Sequence, residues 1–228
     1  MLCRAMSRPT PALYQSALRV LYYLHRHRGV GLRYEPSSRA LEGFSDSDWA
    51  VRHSTSGFVF NYCTAALSWG SKKQPTVALS SCEAEIVAAS EATKEAIYLR
   101  GFLDELGCSS EGATPLSVDN TAARDLAYNP EHHARVKHIE RRHFFVRERV
   151  ESLEISVPFV RSEHNMADFF TKPLPASTFF RMRDVIMNVS SSDACSMHEG
   201  VLRDIEDRGP GPRTKSSTQV MSDSAPAS

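Results

Sequence analysis

The stretch ALEGFSDSDWAVRHSTSGFVFNYCTAALSWGSKKQPTVALSSCEAEIVAASEATKEAIYLRGFLDEL, residues 40–106, carries the pattern from which the rest of the chain is read. Short apolar runs broken by turn residues predict three successive antiparallel strands over 41–49, 58–62 and 65–69. A polar loop, Gly-Ser-Lys-Lys-Gln-Pro, follows at 70–75. Residues 80–106 are then rich in Ala, Glu, Leu and Lys, with no internal proline and a stop at Gly107, which predicts one long helix. Ser80-x-x-Glu83 reads as its capping box, which occupies Glu83 and leaves Glu85 the freer carboxylate.

Downstream, the pattern predicts a short buried strand at 116–118, a helix at 121–128, a basic His-rich helix at 135–150, a strand at 155–160 and a last helix from 166. The order β-β-β-α-β-α-α-β-α implies a mixed sheet with helices packed on it. Upstream, Thr10 as cap, Pro11 in the first turn and Gly29 at the exit predict a separate helix. His25, Arg26, His27 and Arg28 sit where the helix dipole favours positive charge. From 188 onward the chain turns to Ser, Asp, Gly and Pro with few large apolar residues, which predicts a disordered tail. The expected division is therefore 1–39, one helix; 40–187, the folded domain; and 188–228, the tail.

Composition excludes several classes. Lys plus Arg and Asp plus Glu each number 27, so net charge leaves no footprint of a polyanionic partner, and any nucleic-acid surface must come from local clustering. Cys3, Cys63, Cys82, Cys108 and Cys195 show no C-x-x-C spacing. This argues against a disulfide framework or zinc knuckle and fits a reducing compartment, cytoplasm or nucleus. No apolar run approaches the roughly 20 residues that span a bilayer, so neither a membrane nor a secreted location is expected.

Four carboxylates stand at the ends or centres of apolar elements. Asp46 lies within the first strand, Glu85 near the start of the long helix, Asp119 at the end of the fourth strand and Asp168 at the start of the last helix. Carboxylates converging on one rigid edge hold hard divalent cations about 3.5–4 Å apart, the arrangement that hydrolyses phosphodiesters. Each residue has a plainer reading: Asp119 as the cap of the next helix, Asp168 as a first-turn acid, Asp46 and Asp48 as solvated strand residues.

The strings SDSDWA, STSGFVF, LSWGSKKQPTVALSSCEAE, ASEATKEAIYLR, VDNTAARDLA, HARVKHIERRHFFVRE and ADFFTKPLP closely resemble the ribonuclease H region of copia-type retrotransposon Pol polyproteins, over residues 10–175. ALRVLYYLHRHRGVGLRY resembles the end of the reverse transcriptase segment of that family, which makes residues 1–39 a remnant of the reverse transcriptase connection. The resemblance implies an α/β, ribonuclease H-like mixed five-stranded sheet flanked by helices. It implies cleavage of the RNA strand of an RNA–DNA hybrid with two Mg²⁺ ions, for which Mn²⁺ can substitute. Asp46, Glu85, Asp119 and Asp168 are then both catalytic and metal-holding, with Asp46 preferred over Asp48. A reverse transcriptase chain is the second implied partner.

The sequence departs from the family at three places. The turn after Trp49-Ala50 is shortened, Cys82 replaces a usual Thr, and Glu140 replaces a usual Asp. The shortened hairpin follows Asp46 directly, so an inactive nucleic-acid-binding remnant or a structural partner of a polymerase is the alternative reading.

Substrate contacts are expected from Lys72, Lys73 and Gln74 in the basic loop beside Trp69, from Asn120, and from Arg135 and Lys137 on the basic helix. His132, His133, His138 and His143 lack cysteine partners and metal-helix spacing, so no zinc site is expected. His164 is a proton-shuttle candidate whose plainer reading is an exposed loop histidine.

Overall fold

The computed structural model describes residues 6–37, 40–50, 53–108, 111–128 and 140–190. Its elements are α1 (Pro11–Arg26), β1 (Glu42–Asp48), β2 (Thr55–Tyr62), β3 (Ala65–Lys73), α2 (Ser81–Glu105), β4 (Thr114–Ser117), α3 (Thr121–Tyr128), α4 (Glu140–Glu151), β5 (Ile155–Ser156), a 3₁₀ turn (Ser162–His164), α5 (Asp168–Thr171) and α6 (Ala176–Met187). The strands form one mixed sheet in the order β3-β2-β1-β4-β5. β1 and β3 both run antiparallel to β2, whereas β4 runs parallel to β1 and β5 parallel to β4.

Alternation along β2 sends Phe60 to one face and Val59 to the other. Phe60 joins Leu41, Leu116, Ala92, Ala96 and Leu99 beneath α2, with Val146 of α4 packed in. Val59 and Ala66 meet Met182 and Ile186 of α6, with Phe169 and Phe170 of α5 alongside. The buried alanines of α2 (Ala84, Ala88, Ala92, Ala96) keep its inner face flat against the sheet. Ser80 caps the helix by accepting from the Glu83 amide at 3.1 Å, while Glu83 accepts from the Leu79 amide at 2.6 Å. The reciprocal half of the capping box thus closes one residue upstream of its usual donor.

The first hairpin keeps an unbroken register from Glu42↔Asn61 to Asp48↔Thr55.

Several expected boundaries are corrected. β3 does not end at Trp69 but runs to Lys73, and β2 begins at Thr55, because Ser71, Lys72 and Lys73 ladder onto Gly57, Ser56 and Thr55. Polar strand ends pair through backbone alone and leave no apolar run to read. The strand expected over 155–160 is only Ile155–Ser156; Pro158 has no amide to donate, and pairing resumes as a single bridge between Val118 and Phe159. The last helix, expected from 166, is broken into α5 and α6, with Pro173 and Pro175 between them. Of the basic helix, 140–151 is seen; Arg135, Lys137, His132, His133 and His138 lie outside the described residues, as does the tail from 191.

α1 is capped by Thr10, which accepts from the Leu13 amide at 3.3 Å. Tyr23 meets Phe179 of α6 edge-on at 5.5 Å. Among the described residues, no helix is long and apolar enough to cross a membrane.

Candidate metal centre

Because β1 and β4 are parallel neighbours in the register Phe44↔Ser117, continuing both strands by two residues puts Asp46 and Asp119 side by side. α5 brings Asp168 against them. One carboxylate oxygen from each of the three lies within 4.8 Å of the others. Asp46 is 1% exposed and Asp168 9%, while Asp119 is half-buried. Asp48, partly exposed, is not in the cluster.

Each carboxylate is held in place. Asp46 accepts from the Thr171 hydroxyl on Oδ2 and from Lys172 Nζ on Oδ1 at 3.3 Å. Asp168 Oδ1 accepts from the same ammonium at 2.8 Å. Asp119 Oδ2 accepts from the Ser162 hydroxyl at 2.6 Å. The cap of α3 is not Asp119 but Asn120, whose Oδ1 accepts from the Ala123 amide at 3.0 Å. Asn165, fully buried, ties the segment before α5 to β1: Nδ2 donates to the Ser45 carbonyl at 3.0 Å and Oδ1 accepts from the Ala167 amide at 3.1 Å.

Glu85 stands beside the three without joining them. Its Oε1 accepts from the Ser47 amide at 3.2 Å, and its Oε2 is buried with no hydrogen-bond partner. Burial first, and then the charges of Asp46 and Asp119, push its carboxyl up to about 8. Burial also raises Asp168, aided by Asp46 and Asp119 and opposed by Lys172. For Lys172 burial disfavours the ammonium, but Asp168 and Asp46 outweigh it and its pKa is raised.

This donor set fits a hard divalent cation. The three aspartates offer only carboxylate oxygens, Glu85 beside them adds a buried acceptor without a hydrogen-bond partner, and Lys172 already bridges Asp46 and Asp168.

The other expected contacts fare differently. Lys72 and Lys73 are exposed at the end of β3. Gln74 is not in that surface: it is 3% exposed, and its Nε2 donates to Ser56 Oγ at 2.9 Å and the Ala84 carbonyl at 2.8 Å, pinning β2 to α2. Asn120 is engaged at the cap. His164 is exposed, with Nε2 3.4 Å from Glu163. His143 is buried, its Nε2 2.5 Å from the Leu126 carbonyl. Lys172, Thr171, Asn165 and Ser162 escaped the reading of the sequence. Only Lys172 had a local signal, its position four residues after Asp168.

No family model matches the chain. The retrovirus-related Pol polyprotein from transposon TNT 1-94 of Nicotiana tabacum is 35% identical over 187 residues, 80% of this chain. That from transposon RE2 of Arabidopsis thaliana is 32% identical over 208 residues, 89% of the chain. The chain is homologous, at 32–35% identity over most of its length, to copia-type retrotransposon Pol polyproteins. It spans 14% of the length of each of these two Pol polyproteins. A secreted RxLR effector protein 161 of Plasmopara viticola is 48% identical over 98 residues, 41% of this chain and 69% of that protein. Among solved structures, RNase H1 from Halobacterium salinarum NRC-1 aligns at a TM-score of 0.45 and 14% identity, covering 57% of this chain and 93% of that one. LC11-RNase H1 in complex with RNA/DNA hybrid aligns at 0.45 and 12% identity, covering 58% and 94%. The mixed five-stranded sheet of this chain, with its flanking helices, is the architecture that the sequence resemblance implies.

Proposed function

We propose that this chain is the ribonuclease H segment of a retrotransposon Pol polyprotein and hydrolyses the RNA strand of RNA–DNA hybrids. The observation that carries this reading is the convergence of Asp46, Asp119 and Asp168 at the β1–β4 seam, with Glu85 beside them. In this reading all four are catalytic and hold two Mg²⁺ ions, with Mn²⁺ as a substitute. Such ions supply activation of the attacking oxygen and charge stabilisation of the leaving one. Asp46 and Asp119 stand on adjacent strands and so offer rigid positions; Asp168 arrives on a short helix held by Asn165. Glu85, pushed up to about 8 by burial and the neighbouring aspartates, holds a proton at neutral pH; a bound cation would favour its carboxylate form.

Lys72 and Lys73 contact phosphates of the hybrid without reading its sequence. Arg135, Lys137 and Asn120 belong to the same proposed surface, and His164 is the proposed proton shuttle at the exposed rim. A reverse transcriptase chain is the proposed protein partner, reached through residues 1–39; residues 188–228 are the proposed tail.

The test is cleavage of a labelled RNA–DNA hybrid with Mg²⁺ by the wild-type chain and by Asp119→Asn. Cutting by the wild type that is lost in the variant, with double-stranded RNA spared, is expected. A folded wild type that cuts with neither Mg²⁺ nor Mn²⁺ leaves only hybrid binding.

A further inference from the structure

In this structure Asp46 is the most fully bonded carboxylate of the acidic cluster. Both oxygens of Asp46 are occupied, Oδ2 by the Thr171 hydroxyl and Oδ1 by Lys172, and the same ammonium holds Asp168. Three carboxylates within 4.8 Å, two of them buried, repel one another strongly where water is excluded. Lys172 is the cation that the described residues place between two of them.

We propose that Lys172 is the counter-ion of the metal-free cluster and that a divalent ion enters by displacing its ammonium from between Asp46 and Asp168. The inference rests on the reading that these carboxylates hold divalent ions. Three features make the exchange feasible. The Lys172 side chain is 34% exposed, so its ammonium has a path to solvent. The Lys172 backbone is anchored independently, its amide donating to the Asp168 carbonyl at 3.1 Å, so the side chain can swing without unravelling α5. Thr171 has other acceptors in range, the Ala167 and Asp168 carbonyls at 3.5 and 3.4 Å, and so can also release Asp46. A loaded site thus competes with an internal ion pair, which weakens metal affinity while keeping the empty domain folded.

The test uses the full chain with Lys172→Met, which keeps the length and apolar stem, and Lys172→Arg, which keeps the charge. Two readouts are independent of activity: thermal melting without metal, and calorimetric titration with Mg²⁺ or Mn²⁺ alone. The Met variant is expected to melt several degrees lower without metal and to bind the ion about tenfold more tightly, equivalent to about 1.4 kcal/mol. The Arg variant is expected to melt and bind like wild type. A Met variant that melts unchanged overturns the counter-ion role. One that binds the ion equally or more weakly overturns the displacement and makes the ammonium part of the loaded site. If no form takes up either ion, the metal reading of the cluster falls together with the displacement. The melting comparison is then decisive for the counter-ion role.

Discussion

Asp46 sits directly across the β1–β2 ladder from Gly57, and the bare backbone at Gly57 is what lets α5 reach Asp46. A Cβ added there would lie 2.6 Å from Thr171 Cγ2, 3.0 Å from Phe170 Cβ and 3.2 Å from the Ala167 carbonyl. The helix that carries Asp168 and delivers Thr171 and Lys172 therefore rests on a missing side chain. Gly57→Ala should force α5 away from the sheet. We expect a loss of about 1–3 kcal/mol in urea unfolding, typical of overpacking, with cleavage falling further than stability does. An Ala variant of wild-type stability and activity would show that α5 yields freely.

Asn165 is the second fastener of the same helix, joining the Ser45 carbonyl beside Asp46 to the turn before Asp168. Asn165→Ala leaves two buried backbone groups without that partner. A destabilisation of about 1–3 kcal/mol is expected. Activity should fall even at temperatures where the variant is folded, because Asp168 loses its fixed approach. Circular dichroism melts run beside hybrid cleavage separate the two effects.

Glu85 gives the metal-free protein a defined pH dependence. Its carboxyl titrates at about 8 when folded and at its ordinary value of 4.5 when unfolded. Between these values the folded state binds more protons, so stability falls as pH rises through the window. The metal-free melting temperature should therefore drop from pH 5 to pH 8, and Glu85→Gln should flatten that slope. Added Mg²⁺ should raise the melting temperature more at pH 8 than at pH 5. A wild-type curve that climbs over this range in the same way as the Gln variant would remove Glu85 from the account.

Lys72, Lys73 and Gln74 are consecutive in sequence but divide into two roles. Lys72→Ala and Lys73→Ala should leave stability unchanged and weaken hybrid binding, each lowering the slope of log affinity against log salt by about 1. Gln74→Ala removes a buried bridge from β2 to α2 and should cost about 1–3 kcal/mol in unfolding without changing that slope. Binding titrations at several salt concentrations distinguish them.

The order of elements was legible in the chain because periodicity is local: the alanine-rich run of α2, the apolar halves of β1, β2 and β3, and the caps at Thr10 and Ser80 all act within a few residues. The four acidic positions were legible for the same reason, each lying at the end or centre of an apolar element. Asp46 was preferred over Asp48 without excluding it, and Asp119 could be read as the cap of α3. The parallel pairing of β1 with β4 brings Asp46, not Asp48, beside Asp119, and the capping bond of α3 belongs to Asn120. Contacts across more than 100 residues, Asn165 to Ser45 and Lys172 to Asp46, carry no mark in either segment alone. Nor does the burial of Gln74 beside two exposed lysines, since side-chain direction on a strand follows from register. A linear pattern specifies which residues form an element; the packing of elements specifies which side chains share a point in space, and the cluster of Asp46, Asp119 and Asp168 is such a point.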